Sequence, residues 1–184
     1  MSMQCGLCQQ PTTRLFEKHG VPIVRCSGCG HVQADMVANE SHVRSVYGDD
    51  YFFGGKDGYP NYLEGQQLLE RRGQKYARRL ARHKQPGRLL DVGAAAGFIL
   101  KGFCAAGWQG VGLEPNAAMV EFARRELGQQ MLQGTLESVE CDQPFDAVTL
   151  IQVVAHLHNF REAMRRIRDI TQPGSLLLIE TWNV

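Results

Sequence analysis

The chain lacks any long hydrophobic run. None of its 184 residues falls in a stretch approaching the roughly 18 apolar residues of a membrane span. The opening MSMQCGLCQQ has no apolar centre of the kind a secretory leader needs, so the reading is a cytoplasmic protein without membrane partners. Net charge is also scarce: 20 Lys and Arg stand against 19 Asp and Glu. The resulting +1 gives no general pull toward nucleic acid or acidic lipid. A disulfide framework is missing as well. Four of the six cysteines form two local pairs, and Cys104 and Cys141 are solitary, a pattern of metal ligands plus two core thiols. Finally, Gly93, Gly97 and Gly102 do not make Gly-x-Gly-x-x-Gly, which counts against a nicotinamide-dependent oxidoreductase.

An apolar content of 43% supports a real core, and the length suits one domain with a small appendage. The appendage is residues 1–35. Cys5-Gly-Leu-Cys8 and Cys26-Ser-Gly-Cys29 are separated by 17 residues. Two such turns aim four thiolates at one point, the tetrahedral shell that suits zinc. With all four positions filled, the metal is structural and supplies folding energy to a segment poor in large apolar residues. Val21–Arg25 reads as a strand entering the second turn. His31 reads as a surface or outer-sphere residue, and Arg14, Lys18 and Arg25 make only a thin basic patch beside Glu17 and Asp35.

Residues 36–87 form a connector and a leading helix. Four of the five tyrosines, Tyr47, Tyr51, Tyr59 and Tyr62, fall within 16 residues, with Phe52 and Phe53 among them. Such a loop can close over a ligand, or it can plug the space beside the cysteine module. Leu63–His83 has helical spacing with Leu68, Leu69, Tyr76, Ala77, Leu80 and Ala81 as the buried stripe. Its many arginines read as a solvated face rather than a polyanion site.

Residues 88–184 carry the organising pattern. Arg88–Val92 is an apolar run broken by Asp91, Gly93–Gly97 is small at every position, Phe98–Ala106 is helical, and Val111–Glu114 is a second run ending in an acid. Strand, small-residue loop, helix and strand make the unit of parallel α/β sheets, which bind ligands at their carboxyl ends. Asp91 calls for a backbone amide or a cationic ligand group. Glu114 follows Gly93 by 21 residues, a position suited to gripping ribose hydroxyls. Further helices are expected at 117–127 and 159–171, with strands at 130–132, 145–152 and 175–181. The turn at Gly134–Glu137 falls beside the ligand crevice.

LLDVGAAAGFIL, GVGLEPN, PFDAVTLIQVVAHLHNFREAMRRI and QPGSLLLIETWN together resemble the class I S-adenosylmethionine-dependent methyltransferases, here with an N-terminal zinc-binding module. The family's first motif has glycine where this chain has Ala95. The resemblance implies a Rossmann-like parallel sheet with a small zinc ribbon. It also implies S-adenosylmethionine held by Asp91 and the backbone of Gly93, Ala94, Ala95 and Gly97. Glu114 would take the ribose hydroxyls, Pro115 would be a further cofactor contact, Thr135 and Leu136 would border the adenine with Glu137 beside them, and Gln152 would line the crevice. The acceptor nucleophile, an O, N or C atom of a small molecule, would lose its proton to His156, with His158 as second candidate. Tyr47 and Tyr51 would orient it. Family members often carry Glu-His after the fourth strand, where this chain has Ala155-His156. The family normally adds two strands after the fifth, so the expectation is a sheet cut short after that strand, with an exposed edge able to pair with a second copy. The alternatives are an RNA methyltransferase using the zinc module and the basic helix, or a non-catalytic cofactor-binding scaffold.

Overall fold

The structure is a computed structural model that describes residues 4–36, 52, 62–157 and 159–182. Its N-terminal part is an antiparallel sheet of β1 (Thr12–Lys18), β2 (Val21–Cys26) and β3 (Val32–Ala34), in that order. His19 and Gly20, at φ 52° and 77°, make the two-residue hairpin turn whose twist matches its strands. Only β2 is legible in the sequence. β1 buries Thr12 alone of its seven residues, so it shows no alternation of buried and exposed positions.

A 3₁₀ turn at Tyr62–Gly65 leads into α1 (Gln66–Leu80). The parallel sheet then follows as β4 (Arg88–Val92), α2 (Phe98–Ala105), β5 (Gln109–Glu114), α3 (Ala117–Leu127), β6 (Gln130–Gln133), β7 (Phe145–Ile151), α4 (Phe160–Asp169) and β8 (Thr171–Glu180). The strand order is β6-β5-β4-β7-β8, with every neighbouring pair parallel. The chain builds outward from β4 through β5 to β6, then crosses back to β7. The carboxyl ends of β4 and β7 therefore flank a reversal of direction, where open sheets of this kind leave a crevice.

Local chemistry fixes the helices. The Asn116 side chain accepts from the Met119 amide at the start of α3, and Gly128, at φ 63°, ends that helix. Asn159 caps α4 through the Glu162 amide. Leu89 and Leu90 on β4 are fully buried, one on each face of the sheet. α1 and α2 cross at Gly73 and Gly102. A Cβ on Gly102 would lie 2.2 Å from the Glu70 carbonyl oxygen, so the two backbones meet with no side chain between them. This crossing turns the buried face of α1 onto Gly73, Tyr76, Ala77 and Leu80. The expected stripe is corrected on two positions: Leu68 is 72% exposed, and Ala81 lies on the surface past the helix end.

The C-terminal expectation is also corrected. In place of an incomplete end, residues 160–180 form a whole helix and a ten-residue strand that pairs with β7 from Phe145 to Ile151. The strand expected over 175–181 begins four residues earlier, at Thr171, so Pro173-Gly174 lies within it. On an edge strand a proline loses no ladder bond it needs. A register shift between Phe145 and Ala147 absorbs the extra residues.

Candidate functional site

A cavity of about 310 Å³ opens at the carboxyl ends of β4, β5 and β7. The loop after β4 shapes one side. Gly93 and Ala94 turn their amides back onto the Leu113 carbonyl at 2.8 and 3.1 Å. A Cβ on Gly93 would sit 2.5 Å from Val153 Cγ2, so only glycine lets this wall close. Ala95 holds φ 47°, a left-handed backbone that favours glycine. The motif's missing glycine is thus kept as a conformation although the residue has changed.

Glu114 is 4% exposed and joins the two halves of the site. Its Oε2 accepts from the Ala95 amide at 2.9 Å and its Oε1 from the Asn116 amide at 3.0 Å. Burial raises its pKa, while those two amides pull it down. Each oxygen keeps a second lone pair for a ligand hydroxyl. Asp91 lies beneath the loop at 2% exposure, with Oδ1 accepting from the Thr149 hydroxyl at 2.5 Å. Burial pushes its carboxyl up to about 7; Thr149 opposes that rise and the nearby Glu114 charge adds to it.

Of the residues singled out from sequence, the structure brings Gly93, Ala95, Glu114, Pro115, Thr135, Leu136, Glu137, Gln152 and His156 around this one cavity. Asp91, Ala94 and Gly97 stand behind its walls. The Ala94 methyl faces Gly112, and Gly97 begins α2 against Ala123. His156 ends a 3₁₀ turn, and burial lowers its pKa from the ordinary 6.5. Tyr47, Tyr51 and His158 lie outside the described residues. The turn at Gly134 borders the cavity as expected, and the sequence reading missed Val153, Leu157 and Trp182 as walls. Trp182 comes two residues after β8, and the rule that parallel sheets bind at their carboxyl ends could have found it. Phe52 and Tyr62, from the aromatic-rich stretch, also line the cavity. Tyr62 stacks on Phe98 with ring centres 5.8 Å apart and meets Phe52 edge-on at 5.6 Å.

A second constellation lies in the N-terminal module. The sulfurs of Cys5, Cys8, Cys26 and Cys29 all lie within 4.8 Å of one another and could hold a metal ion. Cys5 to Cys29 is 3.7 Å and Cys8 to Cys26 is 3.3 Å. Tetrahedral zinc at its usual sulfur distance sets an S···S separation of about 3.8 Å. The amide of Cys29 leads the cluster's pull on Cys26, bringing it down to about 6. Cys29 accepts from the His31 amide, which lowers it, but the neighbouring Cys8 and burial outweigh that and push it up to about 12. Four thiolates this close repel one another, and a divalent cation among them would offset that repulsion. Arg161 Nη1 donates to the Leu7 carbonyl at 3.0 Å and ties α4 to the first cysteine turn.

A family model described as a methyltransferase domain matches residues 64–184. The chain belongs to this family. The methyltransferase domain takes in α1 as well as the parallel sheet. Among curated proteins, the chain is similar to the ubiquinone biosynthesis O-methyltransferases of Rhodopseudomonas palustris strain BisB18 and Bradyrhizobium sp. strain ORS 278. They are 29% and 30% identical over 101 residues, which is 52% of this chain and 40% of each relative. Among solved structures it is similar to S-adenosylmethionine-bound CalS10, an amino pentose methyltransferase from Micromonospora echinaspora involved in calicheamicin biosynthesis. That match has 30% identity and a TM-score of 0.56, and covers 62% of this chain and 51% of CalS10. The sugar N-methyltransferase KedS8 from Streptoalloteichus sp. shares the fold at 23% identity and a TM-score of 0.57, over 66% of this chain and 52% of KedS8. The chain thus spans about two fifths of those curated relatives and about half of these structures. Among the described residues, no helix is long and apolar enough to cross a membrane.

Proposed function

We propose that the chain binds S-adenosylmethionine in the cavity at the carboxyl ends of β4, β5 and β7 and passes its methyl group to a small-molecule acceptor. The observation that carries this reading is Glu114, a buried carboxylate at the end of β5 that fastens the loop after β4 and faces the same apolar cavity. The residues present fit the group. Leu113, Pro115 and Leu136 offer an apolar slot for the adenine, and Thr135 borders it. Glu114 has lone pairs left for the two ribose hydroxyls. Asp91 sets a negative potential beneath the loop, on the side assigned to the amino acid part, and a cation there would favour its ionised form.

The bound group would supply a methyl on a sulfonium, already activated for displacement. The protein's share is alignment and exclusion of water. Phe52, Tyr62 and Trp182 supply flat apolar surface at the rim. His156, its pKa lowered, is uncharged at neutral pH and takes the proton of an acceptor hydroxyl or amine. The four cysteines hold a structural zinc ion. On α1, Arg72 is engaged by Glu180, and just past the helix Lys84 pairs with Asp146 at 3.1 Å; both support a small acceptor over RNA.

The test is calorimetric titration of the zinc-loaded protein with S-adenosylmethionine, S-adenosylhomocysteine and NAD, beside Glu114→Ala. One-to-one binding of the first two, lost in Glu114→Ala, is the expected outcome. Absence of binding by folded wild type, or binding of NAD in their place, overturns the reading.

A further inference from the structure

Glu180, the last residue of β8, gathers donors from α1 and from the end of β7. Arg72 Nη2 donates to its Oε1 at 2.5 Å, and the Tyr76 hydroxyl donates to Oε2. Arg72 Nε in turn donates to the Tyr76 hydroxyl at 2.7 Å. From the end of β7, Gln152 Nε2 reaches Oε1 at 3.3 Å, and the Gln152 amide donates to the Glu180 carbonyl at 2.7 Å. A ladder end needs only that last bond. The carboxylate does something further: it ties α1 to the ends of two strands.

What those ends carry is the cavity. Gln152 is one of its walls and holds φ 60°, a left-handed backbone unusual for glutamine. Trp182, two residues beyond Glu180, is another wall and is 78% exposed. Tyr62, in the turn that leads into α1, is a third. Tyr76 is itself fixed, 3% exposed and stacked on Phe103 with centres 6.4 Å apart. One carboxylate therefore lies between a rigid helix and two wall residues whose positions nothing in a strand's own geometry sets.

We propose that Glu180, clasped by Arg72 and Tyr76, is a positioning residue for the cavity, holding Gln152 in its left-handed backbone and Trp182 at the mouth. The inference rests on the reading that this cavity binds S-adenosylmethionine. Burial works against the Glu180 charge, but the bonds from Tyr76 and Gln152 and the charge of Arg72 keep its pKa below the ordinary value. Burial first, then the bond to Glu180, push Tyr76 up to about 12. The clasp thus keeps its charges through the neutral range.

The test uses the metal-loaded protein with Glu180→Gln and Tyr76→Phe, the second removing a single hydroxyl so that a folded variant is in hand. Two readouts are taken below the unfolding temperature: calorimetric Kd for S-adenosylhomocysteine, and acrylamide quenching of tryptophan emission. Trp108 is 3% exposed, so quenching reports Trp182. Loss of a charge-assisted bond predicts Kd weaker by about tenfold in Glu180→Gln and about threefold in Tyr76→Phe, with altered quenching in both. Unchanged Kd and unchanged quenching, with only a lower Tm, overturn the proposal and leave a structural tie. If wild type does not bind S-adenosylhomocysteine, the functional reading falls, and quenching alone still decides the clasp.

Discussion

β1 buries one residue of seven, whereas β7 buries six of seven. The first strand belongs to a sheet closed by four sulfurs, the second to a sheet closed by packing. In residues 4–36 the buried side chains are Cys5, Thr12, Val24 and Cys26, two of them metal-ligand candidates. Around the parallel sheet, Leu89, Leu90, Phe98, Phe103 and Leu150 are all fully buried. The comparison teaches where each region's order comes from. One buries little apolar surface and would draw its order from the metal ion that its four cysteines could hold, and the other buries enough to support strained positions such as Ala95 and Gln152.

Metal removal should separate the two regions most sharply. A thiol-compatible chelator is expected to abolish amide protection across β1–β3 while leaving β4, β5 and β7 protected, since zinc binding of this type supplies on the order of 10 kcal/mol. Hydrogen exchange read by mass spectrometry checks this, and retained protection in β1–β3 would mean that packing alone holds that sheet. Gly102→Ala is the converse blow. Its methyl would meet backbone on α1, at Glu70 and Gly73, where nothing flexible can yield. A cost of about 2 kcal/mol in urea unfolding of the parallel domain is expected, after the gain in helix propensity.

Asp91→Asn sharpens the comparison through pH. The folded pKa of about 7 lies above the unfolded value, so the unfolded chain gives up its proton first. Wild-type stability contributed by this group is full in acid, falls as pH rises toward 7, and is level beyond. The asparagine keeps an acceptor for Thr149 and has no charge to bury. Its Tm advantage over wild type should grow between pH 4 and 7 and then hold constant; parallel curves would place the pH dependence elsewhere. The smallest effect belongs to Ala95→Gly. Relief of a left-handed alanine, partly offset by a more flexible unfolded chain, predicts a gain of about 0.5 kcal/mol in urea unfolding. A loss would mean that the Ala95 methyl packs for more than its backbone costs.

The same contrast explains what the sequence made legible. The parallel domain writes its order into apolar runs: Leu89 and Leu90 announce β4, and Asn116 and Gly128 bracket α3. Glu114 was legible because an acid ending a buried run needs a reason. β1 and β3 were not, since strands that bury almost nothing leave no periodicity. The face of α1 was misread at Leu68 because two glycines, which carry no hydrophobic signal, decide how α1 meets α2. The length of β8 was misread because Pro173-Gly174 looks like a stop in any strand that is not at an edge. Gln152 was placed in the crevice, but its dependence on Glu180 was invisible across 28 residues.

The central claim is that the ligand site lies at the carboxyl ends of the parallel strands and that the cysteine module stands apart from it. Hydrogen exchange with and without saturating S-adenosylhomocysteine tests this most directly. The account predicts new protection in Gly93–Gly97, at Glu114, across Thr135–Ser138 and at Gln152, with none in residues 4–36. Protection confined to residues 4–36, or none at all in the wild-type protein, would contradict it.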